Sequence, residues 1–124
     1  MDSLSLFLYI FLLHAETCIL SENNLSGSIP PELGTMSAME ELLFSKNEIT
    51  GTIPPELGQL ENLYTLHMQD TSLEGTMPLE ICILRDTFSD VFEFAQLSSL
   101  TVNCNEVQCC CCTNCLSDSC GVET

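Results

Sequence analysis

Apolar and small residues recur along the chain in a frame of 24 residues. Leu25, Ile49 and Leu73 stand at this interval, and the same shift aligns glycines, prolines and further apolar residues. The aligned sets are Gly27, Gly51 and Gly75; Ile29, Ile53 and Met77; Pro30, Pro54 and Pro78; and Leu33, Leu57 and Ile81. Self-similarity at a fixed period predicts a stack of equivalent units, in which each unit buries its apolar face against its neighbours.

Each copy begins with a pattern typical of a strand that is buried on one face. The segments are 15–23, 39–47 and 63–71, and in each an apolar residue returns after two variable positions and then alternates. A buried Leu or Ile contributes about 1.5–3 kcal/mol, so three copies can offset the chain entropy. The residues expected to point inward are Met39, Leu42, Phe44, Leu63, Leu66 and Met68, together with Ile49, Ile53, Leu57 and Leu60.

Polar and special residues mark the turns between these segments. Asn23 and Asn47 follow the predicted strands, where a buried amide can satisfy backbone groups that no sheet ladder reaches. Thr71 takes that place in the third copy, and its shorter hydroxyl predicts a local weakness. The glycines permit positive φ. Pro30 and Pro54 are expected to hold an extended backbone on the convex side.

These spaced positions resemble the leucine-rich repeat, and their "NxLxGxIPxxLGxL" form is similar to the plant-type subclass. The resemblance covers Ala15 to Leu84. It implies an α/β solenoid, a right-handed coil of about three to four repeats. The tail segments "LEICILRD", "LSSLTVNC" and "VQCCCCTNC" resemble the end of short Cys-capped leucine-rich repeat proteins of diatoms and related algae, which implies a Cys-rich C-terminal cap.

The 24-residue frame breaks after Leu84. The next strand pattern, 97–105, begins 34 residues after Leu63, which indicates an insertion at 85–96. We expect the insertion to form a short helix, because a disordered loop would expose three phenylalanines to water. These are Phe88, Phe92 and Phe94. The predicted organisation is a leader at 1–14, a solenoid at 15–105 and a Cys-rich cap and tail at 106–124.

The leader contains an apolar run, Leu4 to Leu13, with the length of a secretory signal core. Asp2 precedes the run and no Lys or Arg does, which departs from a signal peptide. Two interpretations stay open: a cleaved signal, or the front edge of a longer array. No other segment is apolar enough to span a bilayer, so membrane association would require a segment not present in this sequence.

The charge of the chain argues against one class of partner. Eighteen acidic side chains against two basic ones give a formal charge of −16, which repels phosphate backbones. We therefore expect no nucleic-acid partner. The acidic residues are scattered and 45% of residues are hydrophobic, which indicates a folded chain and not a disordered acidic tail.

Nine cysteines predict disulfides and an oxidising compartment, hence an extracellular or cell-surface location reached by the secretory route. The candidates are Cys82, Cys104, Cys109, Cys110, Cys111, Cys112, Cys115 and Cys120. Cys82 with Cys104 is the favoured pair, since each lies at an edge of the last repeat; the spacing leaves the others open. Cys18 replaces an inward leucine and is expected to be a buried thiol.

We predict neither a metal site nor a cofactor. Zinc needs convergent ligands in spaced pairs, and apart from Cys112 and Cys115 the thiols are adjacent in sequence. His67 has no nucleophile or orienting partner indicated beside it, so no catalytic residue is predicted. A thiol–disulfide enzyme that uses Cys112 and Cys115 is the weakest of the alternatives.

The resemblance implies that partners bind the concave strand surface. The expected function is a non-catalytic recognition module for a protein, peptide or glycan, in cell-surface signalling, adhesion or defence. The alternative is a structural role, as a fragment of a longer array or a cell-wall scaffold. Asn24 begins an N-glycosylation sequon. The candidate binding residues are Glu41, Leu43, Ser45, Lys46, Thr65, His67, Gln69, Asp70, Ser99, Thr101 and Asn103, preceded in the first copy by Thr17, Ile19, Ser21 and Glu22.

Overall fold

A computed structural model describes residues 15–85 and 97–115. The predicted leader, the insertion from residue 86 onward with its three phenylalanines, and Cys120 lie outside the described residues. In chain order the elements are β1 (Thr17–Ile19), β2 (Ser26–Ser28), a 3-10 helix (Pro31–Thr35), β3 (Glu41–Leu43), β4 (Glu48–Gly51), a 3-10 helix (Pro55–Gln59), β5 (Thr65–His67), β6 (Ser72–Leu73), β7 (Gly75–Thr76), α1 (Leu79–Leu84), β8 (Ser99–Thr101) and β9 (Val107–Gln108).

The main sheet is parallel and contains one strand from each turn of the chain, in the order β1-β3-β5-β8. Its register aligns Cys18, Leu42, Leu66 and Leu100, which are all buried. Because side chains alternate between the faces of a strand, the residues on either side of this buried row point away from the core. The predicted strand segments are therefore confirmed, and the strand pattern at 97–105 contains β8.

One continuous core runs along the stack. All ten residues expected to point inward are buried, and Cys18 is only 3% exposed. The core continues past the predicted insertion into the last turn, with Leu97, Val102, Val107, Cys109 and Cys112. The stacked turns therefore share a single apolar interior, as a solenoid requires.

The turns that follow β1, β3 and β5 each contain a residue with positive φ at an equivalent position. Glu22, Lys46 and Asp70 have φ angles of 64°, 58° and 57°, at equivalent positions of the frame. This left-handed conformation costs a residue with a side chain about 1 kcal/mol. Hydrogen bonds across the turn must compensate for that cost.

Asn47 supplies these hydrogen bonds, as predicted. Its buried amide donates to the carbonyls of Leu20, Phe44 and Ser45, and its Oδ1 accepts from the backbone N–H groups of Asn23 and Leu25. Two adjacent turns are thereby joined through one side chain. The exposed Asn23 side-chain amide donates within its own turn, to the carbonyls of Leu20 and Ser21.

The third turn contains the predicted substitution by a hydroxyl. Thr71 Oγ1 donates to the Met68 carbonyl of its own turn. The amide that reaches this turn comes from the segment after β8. Asn103 Nδ2 donates to the Thr71 carbonyl at 2.5 Å, and Asn103 Oδ1 accepts from Asp70 N at 2.6 Å. Asn103 therefore supplies hydrogen bonds that the shorter side chain of Thr71 does not reach.

The sequence pattern did not predict the second sheet. Its strands follow the order β2-β4-β6, and β7 pairs with β9 beyond it. Gly27, Gly51 and Gly75 lie in these strands with φ of 97°, 85° and 95°, which confirms their predicted conformation. Short strands that contain a glycine and exposed polar residues carry little apolar alternation, so this pattern could not indicate them.

The opposite side of each turn is helical. Pro30 and Pro54 precede the two 3-10 helices in the extended conformation that was predicted. Gly34 and Gly58, in contrast, do not adopt positive φ. A β-carbon on Gly34 would overlap the Glu56 carbonyl oxygen, and one on Gly58 would lie 2.6 Å from Glu80 Cβ. These two glycines therefore allow close approach between turns.

One disulfide joins the C-terminal turn to the stack, and two more lie within that turn. The pairs are Cys82–Cys111, Cys104–Cys115 and Cys109–Cys112, so the predicted Cys82–Cys104 pair is wrong. Val107 of β9 pairs with Gly75 of β7, so the chain comes alongside α1, which contains Cys82, only after β9. Cys104 precedes β9 and therefore lies too early in the chain to meet Cys82. Cys110 is disulfide-bonded as well.

Candidate ligand-binding face

The outward residues of the main sheet form rows that cross all four strands. The register places Thr17, Glu41, Thr65 and Ser99 in a first row and Ile19, Leu43, His67 and Thr101 in a second row. Neighbouring strands lie about 4.8 Å apart, so residues far apart in sequence become direct neighbours. We call these two rows, with residues 21–22, 45–46, 69–70 and 103 of the following turns, the strand face.

Hydrogen bonds between strands orient several polar side chains of the strand face. The Tyr64 hydroxyl donates to Glu41 Oε1 at 2.5 Å. His67 Nε2 lies 2.7 Å from Ser99 Oγ, and the Thr101 hydroxyl contacts the Gln69 amide oxygen. The face therefore presents a preformed set of polar groups, with less conformational entropy to lose on binding.

Tyr64 belongs to this surface although the sequence did not single it out. It immediately precedes β5 and is 38% exposed. The pKa of Tyr64 is raised above its ordinary value, first by the hydrogen bond to the Glu41 carboxylate, then by partial desolvation and by the negative charges of Glu41 and Glu40. An aromatic residue directly before an outward strand position, one turn after two glutamates, is the signal that could have indicated it.

Charge is concentrated at the two ends of the strands. Glu16 and Glu40 precede β1 and β3, and the backbone N–H groups of Glu40 and Glu41 both donate to the Glu16 carbonyl. Across the face, Lys46 Nζ lies 3.0 Å from Glu22 Oε1. The pKa of Lys46 is raised by this hydrogen bond and by the negative charge of Glu22, with a further contribution from Asp70.

An apolar strip lies between these charged borders. Ile19 pairs with Leu43 across β1 and β3. The Ile19 side chain is 62% exposed, and Leu43 is half-buried. Solvent-exposed apolar side chains on adjacent strands give the strand face a surface that releases water on contact with a partner.

The predicted binding residues differ in how accessible they are. Lys46 and Asp70 are exposed, whereas Ser45 is 6% exposed, and within the described residues its Oγ has no hydrogen-bond partner. Asn103 is half-buried and its amide is engaged by backbone groups. The half-buried outward residues are Glu41, Leu43, Thr65, His67, Gln69, Ser99 and Thr101. Of the binding residues predicted from β3, β5 and β8 and the turns that follow them, only Lys46 and Asp70 are therefore exposed.

Three other features of the described residues bear on chemistry. The His67–Ser99 contact places an imidazole beside a hydroxyl. Nucleophilic catalysis also requires a third group that orients the imidazole. In the part of the chain that the structure describes, no hydrogen bond to the other ring nitrogen of His67 does so. No group of three or more His, Cys, Asp or Glu in residues 15–85 and 97–115 is arranged to hold a metal ion. Within the same ranges, no helix is long and apolar enough to cross a membrane.

The sequon asparagine lies on the surface. Asn24 is exposed in the turn between β1 and β2, with φ of 53°. Its side chain is thus sterically accessible, and its glycosylation remains a prediction.

Comparison with protein families finds the Leucine Rich Repeat model at residues 14–36 and 38–60. A search of curated proteins finds no match. The two matched copies end before β5, so the family model recognises the regular first part of the stack.

Several solved plant structures are similar to this chain. The PEPR1–AtPEP1 structure matches 76% of the chain with 31% identity and a TM-score of 0.62. The Arabidopsis thaliana GASSHO1/SCHENGEN3 ectodomain, in complex with CASPARIAN STRIP INTEGRITY FACTOR 2, matches 79% with 28% identity and a TM-score of 0.65. The BIR3–SERK2 complex of Arabidopsis thaliana matches 73% with 25% identity and a TM-score of 0.57.

The chain spans only part of these proteins, namely 12%, 10% and 42% of the respective matched chains. The family model and the structural neighbours nevertheless agree with the parallel sheet and the 24-residue frame. The chain therefore contains leucine-rich repeats and is structurally similar to plant leucine-rich repeat ectodomains.

Proposed function

We propose that the strand face binds an extended peptide or protein segment and that the chain is a non-catalytic recognition module. The observation that carries the proposal is the alignment of outward side chains from four turns in continuous rows, several of them oriented by hydrogen bonds between strands. A partner that covers both rows contacts residues contributed by every described turn.

The neighbouring structures support this class of ligand. The PEPR1–AtPEP1 and GASSHO1/SCHENGEN3 structures are complexes, and another similar structure is described as the plant peptide hormone receptor RGFR1 with RGF2, at 28% identity and a TM-score of 0.56. By analogy, we propose a peptide or protein partner for the present chain and a role in cell-surface signalling, adhesion or defence.

The disulfides support an extracellular or cell-surface location reached by the secretory route, because such bonds persist in oxidising compartments. We also propose that the segment 104–115, which we call the disulfide segment, acts as the C-terminal cap. Cys109 and Cys112 are buried at the end of the core, where a terminal unit must exclude water. On its cysteine pattern we further propose a relation to the Cys-capped leucine-rich repeat proteins of diatoms and related algae.

A steric block on either side of the stack tests the binding proposal. The oxidised protein is used to select peptides from a random phage-displayed library, and the selected peptides are measured against Thr65→Trp and Gln59→Trp. Thr65 lies in the centre of the first row, whereas Gln59 is exposed on a 3-10 helix of the opposite side. Neither substitution changes the charge.

We expect Thr65→Trp to weaken the selected peptides at least ten-fold and Gln59→Trp to leave them within two-fold. Circular dichroism of both variants should match the parent. Peptides that depend on Gln59, or on neither residue, would show that the strand face is not the binding surface and would favour a structural role.

A further inference from the structure

We propose that the partner of the strand face is a cationic segment, with an apolar side chain flanked on both sides by Lys or Arg. This inference rests on the proposed function and adds the chemical class of the ligand. It follows from the order of apolar and charged groups along the strands.

The apolar contact is provided by Ile19 and Leu43. They are paired across β1 and β3, and they occupy the second row, between the starts of these strands and the turns that follow them. The next positions of the same row, His67 and Thr101, are polar. An apolar side chain of a ligand is therefore best accommodated over the first two strands, where it covers Ile19, which is 62% exposed.

Carboxylates border the apolar strip at both ends of the strands. Glu16, Glu40 and Glu41 lie where the strands begin, and Glu22 and Asp70 lie where the chain turns away from them. The opposing positive group, Lys46, is already paired with Glu22. Five carboxylates against one ammonium leave a net charge of −4 on this surface, which attracts cations and repels acidic ligands.

Glu41 is prepared to accept a cation. Its carboxylate is held by the Tyr64 hydroxyl, and the remaining lone pairs are available because an ionised carboxylate accepts several hydrogen bonds. An arginine of the ligand can therefore bind Glu41 without displacing Tyr64. The Tyr64 ring beside it offers a face for a guanidinium.

The spacing of the ligand charges follows from the strand. Glu41 and Leu43 are two residues apart on one face, about 7 Å at about 3.3 Å per residue. Glu22 and Asp70 stand three residues after Ile19 and His67, on the two strands that flank β3. An extended peptide has the same rise, so Lys or Arg two residues from the apolar side chain matches Glu41, and basic residues two and four positions to the other side bracket the turn carboxylates.

The test measures fluorescence anisotropy with the labelled peptide RSRSLSRSR at 20 and 200 mM NaCl. Two matched probes remove one feature each: RSRSSSRSR lacks the apolar centre, and ESESLSESE inverts the charge. We expect each matched probe to bind at least ten-fold more weakly than the parent peptide. The affinity of the parent peptide should fall several-fold at the higher salt concentration, because the contact is electrostatic.

Charge-neutralising variants locate the contact. Glu41→Gln with Asp70→Asn removes two carboxylates from the strand face, and Glu32→Gln with Glu80→Gln removes two exposed carboxylates from the helical side. Both double variants change the net charge equally. We expect about a ten-fold loss of RSRSLSRSR affinity for the first variant and less than a two-fold loss for the second.

An equal loss in the two double variants, or equal binding of ESESLSESE, would overturn the inference. The library selection separates this failure from that of the proposed function. Selected peptides that depend on Thr65 but carry no excess of Lys or Arg leave the strand face as a binding surface and refute its cationic ligand. If no selected peptide depends on Thr65, the proposed function itself fails.

Discussion

The regular turns and the C-terminal turn solve the same stacking problem in different ways. Gly34, Gly58 and Cys82 occupy one position of the 24-residue frame. At the two glycines the next turn packs against bare backbone, near Glu56 and Glu80. At Cys82 the next turn is held by a disulfide to Cys111, 29 residues away.

The difference shows what a constant interval makes possible. A glycine allows close packing of two turns only where the backbone of the next turn lies at a fixed distance, because the two backbones must be in register to pack. Between β5 and β8 the chain is longer than one repeat, and the position of the next turn is no longer set by the frame. A disulfide fixes that turn whatever the length of the intervening chain.

Hydrogen bonding across the turns is retained in both regions but comes from different positions. Asn47 reaches back to the first turn from the end of the β3 segment. Asn103 reaches back to Asp70 and Thr71, but it stands two residues after its strand, where the regular turns have Ser45 and Gln69. The last turn therefore keeps the amide contact and changes its place.

The largest expected effect is the loss of the covalent link. Replacing Cys82 and Cys111 together by Ala should lower the free energy of unfolding by about 3–4 kcal/mol, since the bond restricts a loop of 29 residues in the unfolded chain. Urea unfolding under non-reducing conditions measures this change. Intact mass should show the other disulfides unchanged.

Cys109→Ala with Cys112→Ala provides the matched control. That disulfide closes a separation of only three residues, so the expected loss of unfolding free energy is about 1.5 kcal/mol. If the two double variants lose the same unfolding free energy, the Cys82–Cys111 bond does not hold the last turn in the way we describe.

The next effect concerns the amide of the regular turns. Asn47→Ala should lower the free energy of unfolding by about 3 kcal/mol, because it leaves buried backbone groups of two turns without partners. Asn23→Ala, with an exposed amide, should cost below about 1 kcal/mol. Chemical denaturation of both variants makes the comparison, and equal losses would contradict the role assigned to Asn47.

A smaller effect is expected where the turns approach through glycine. Gly34→Ala should destabilise the protein by about 2 kcal/mol, since the new β-carbon overlaps the Glu56 carbonyl and the turns must separate. Ser37→Ala, at an exposed position nearby, should stay within about 0.5 kcal/mol. Thermal unfolding of the two variants is the measurement. An unchanged unfolding midpoint for Gly34→Ala would show that the turns can separate without a loss of stability.

The sequence predicted the parts of the fold that depend on periodic burial. Leu42 and Leu66 repeat because each must enter the same core, so their spacing reports the stack directly. The polar second sheet and the pairing of Cys82 with Cys111 have no such signal. They depend on where the backbone of the next turn lies, and this is fixed only once the solenoid has formed.

The candidate site was predictable to the same extent. Alternation placed Glu41 and Leu43 outward, and the register made them neighbours of Thr65 and His67. The burial of Ser45 could not be predicted, because it depends on adjacent turns. Tyr64 was missed for a related reason, since its role arises from the contact with Glu41 on another strand.

The smallest effect distinguishes the first turn, which contains a free thiol, from the covalently linked last turn. Burial raises the pKa of Cys18 from 9.0 to about 12. The folded state therefore favours the neutral thiol, and its contribution to stability is complete below pH 9 and declines as the pH rises toward 12. Between pH 8 and 9.5 the free energy of unfolding should fall by about 1 kcal/mol more than in Cys18→Ala, as measured by urea unfolding at each pH. Equal pH dependence in the two proteins would mean that water reaches Cys18 and that the first turn opens more readily than its packing indicates.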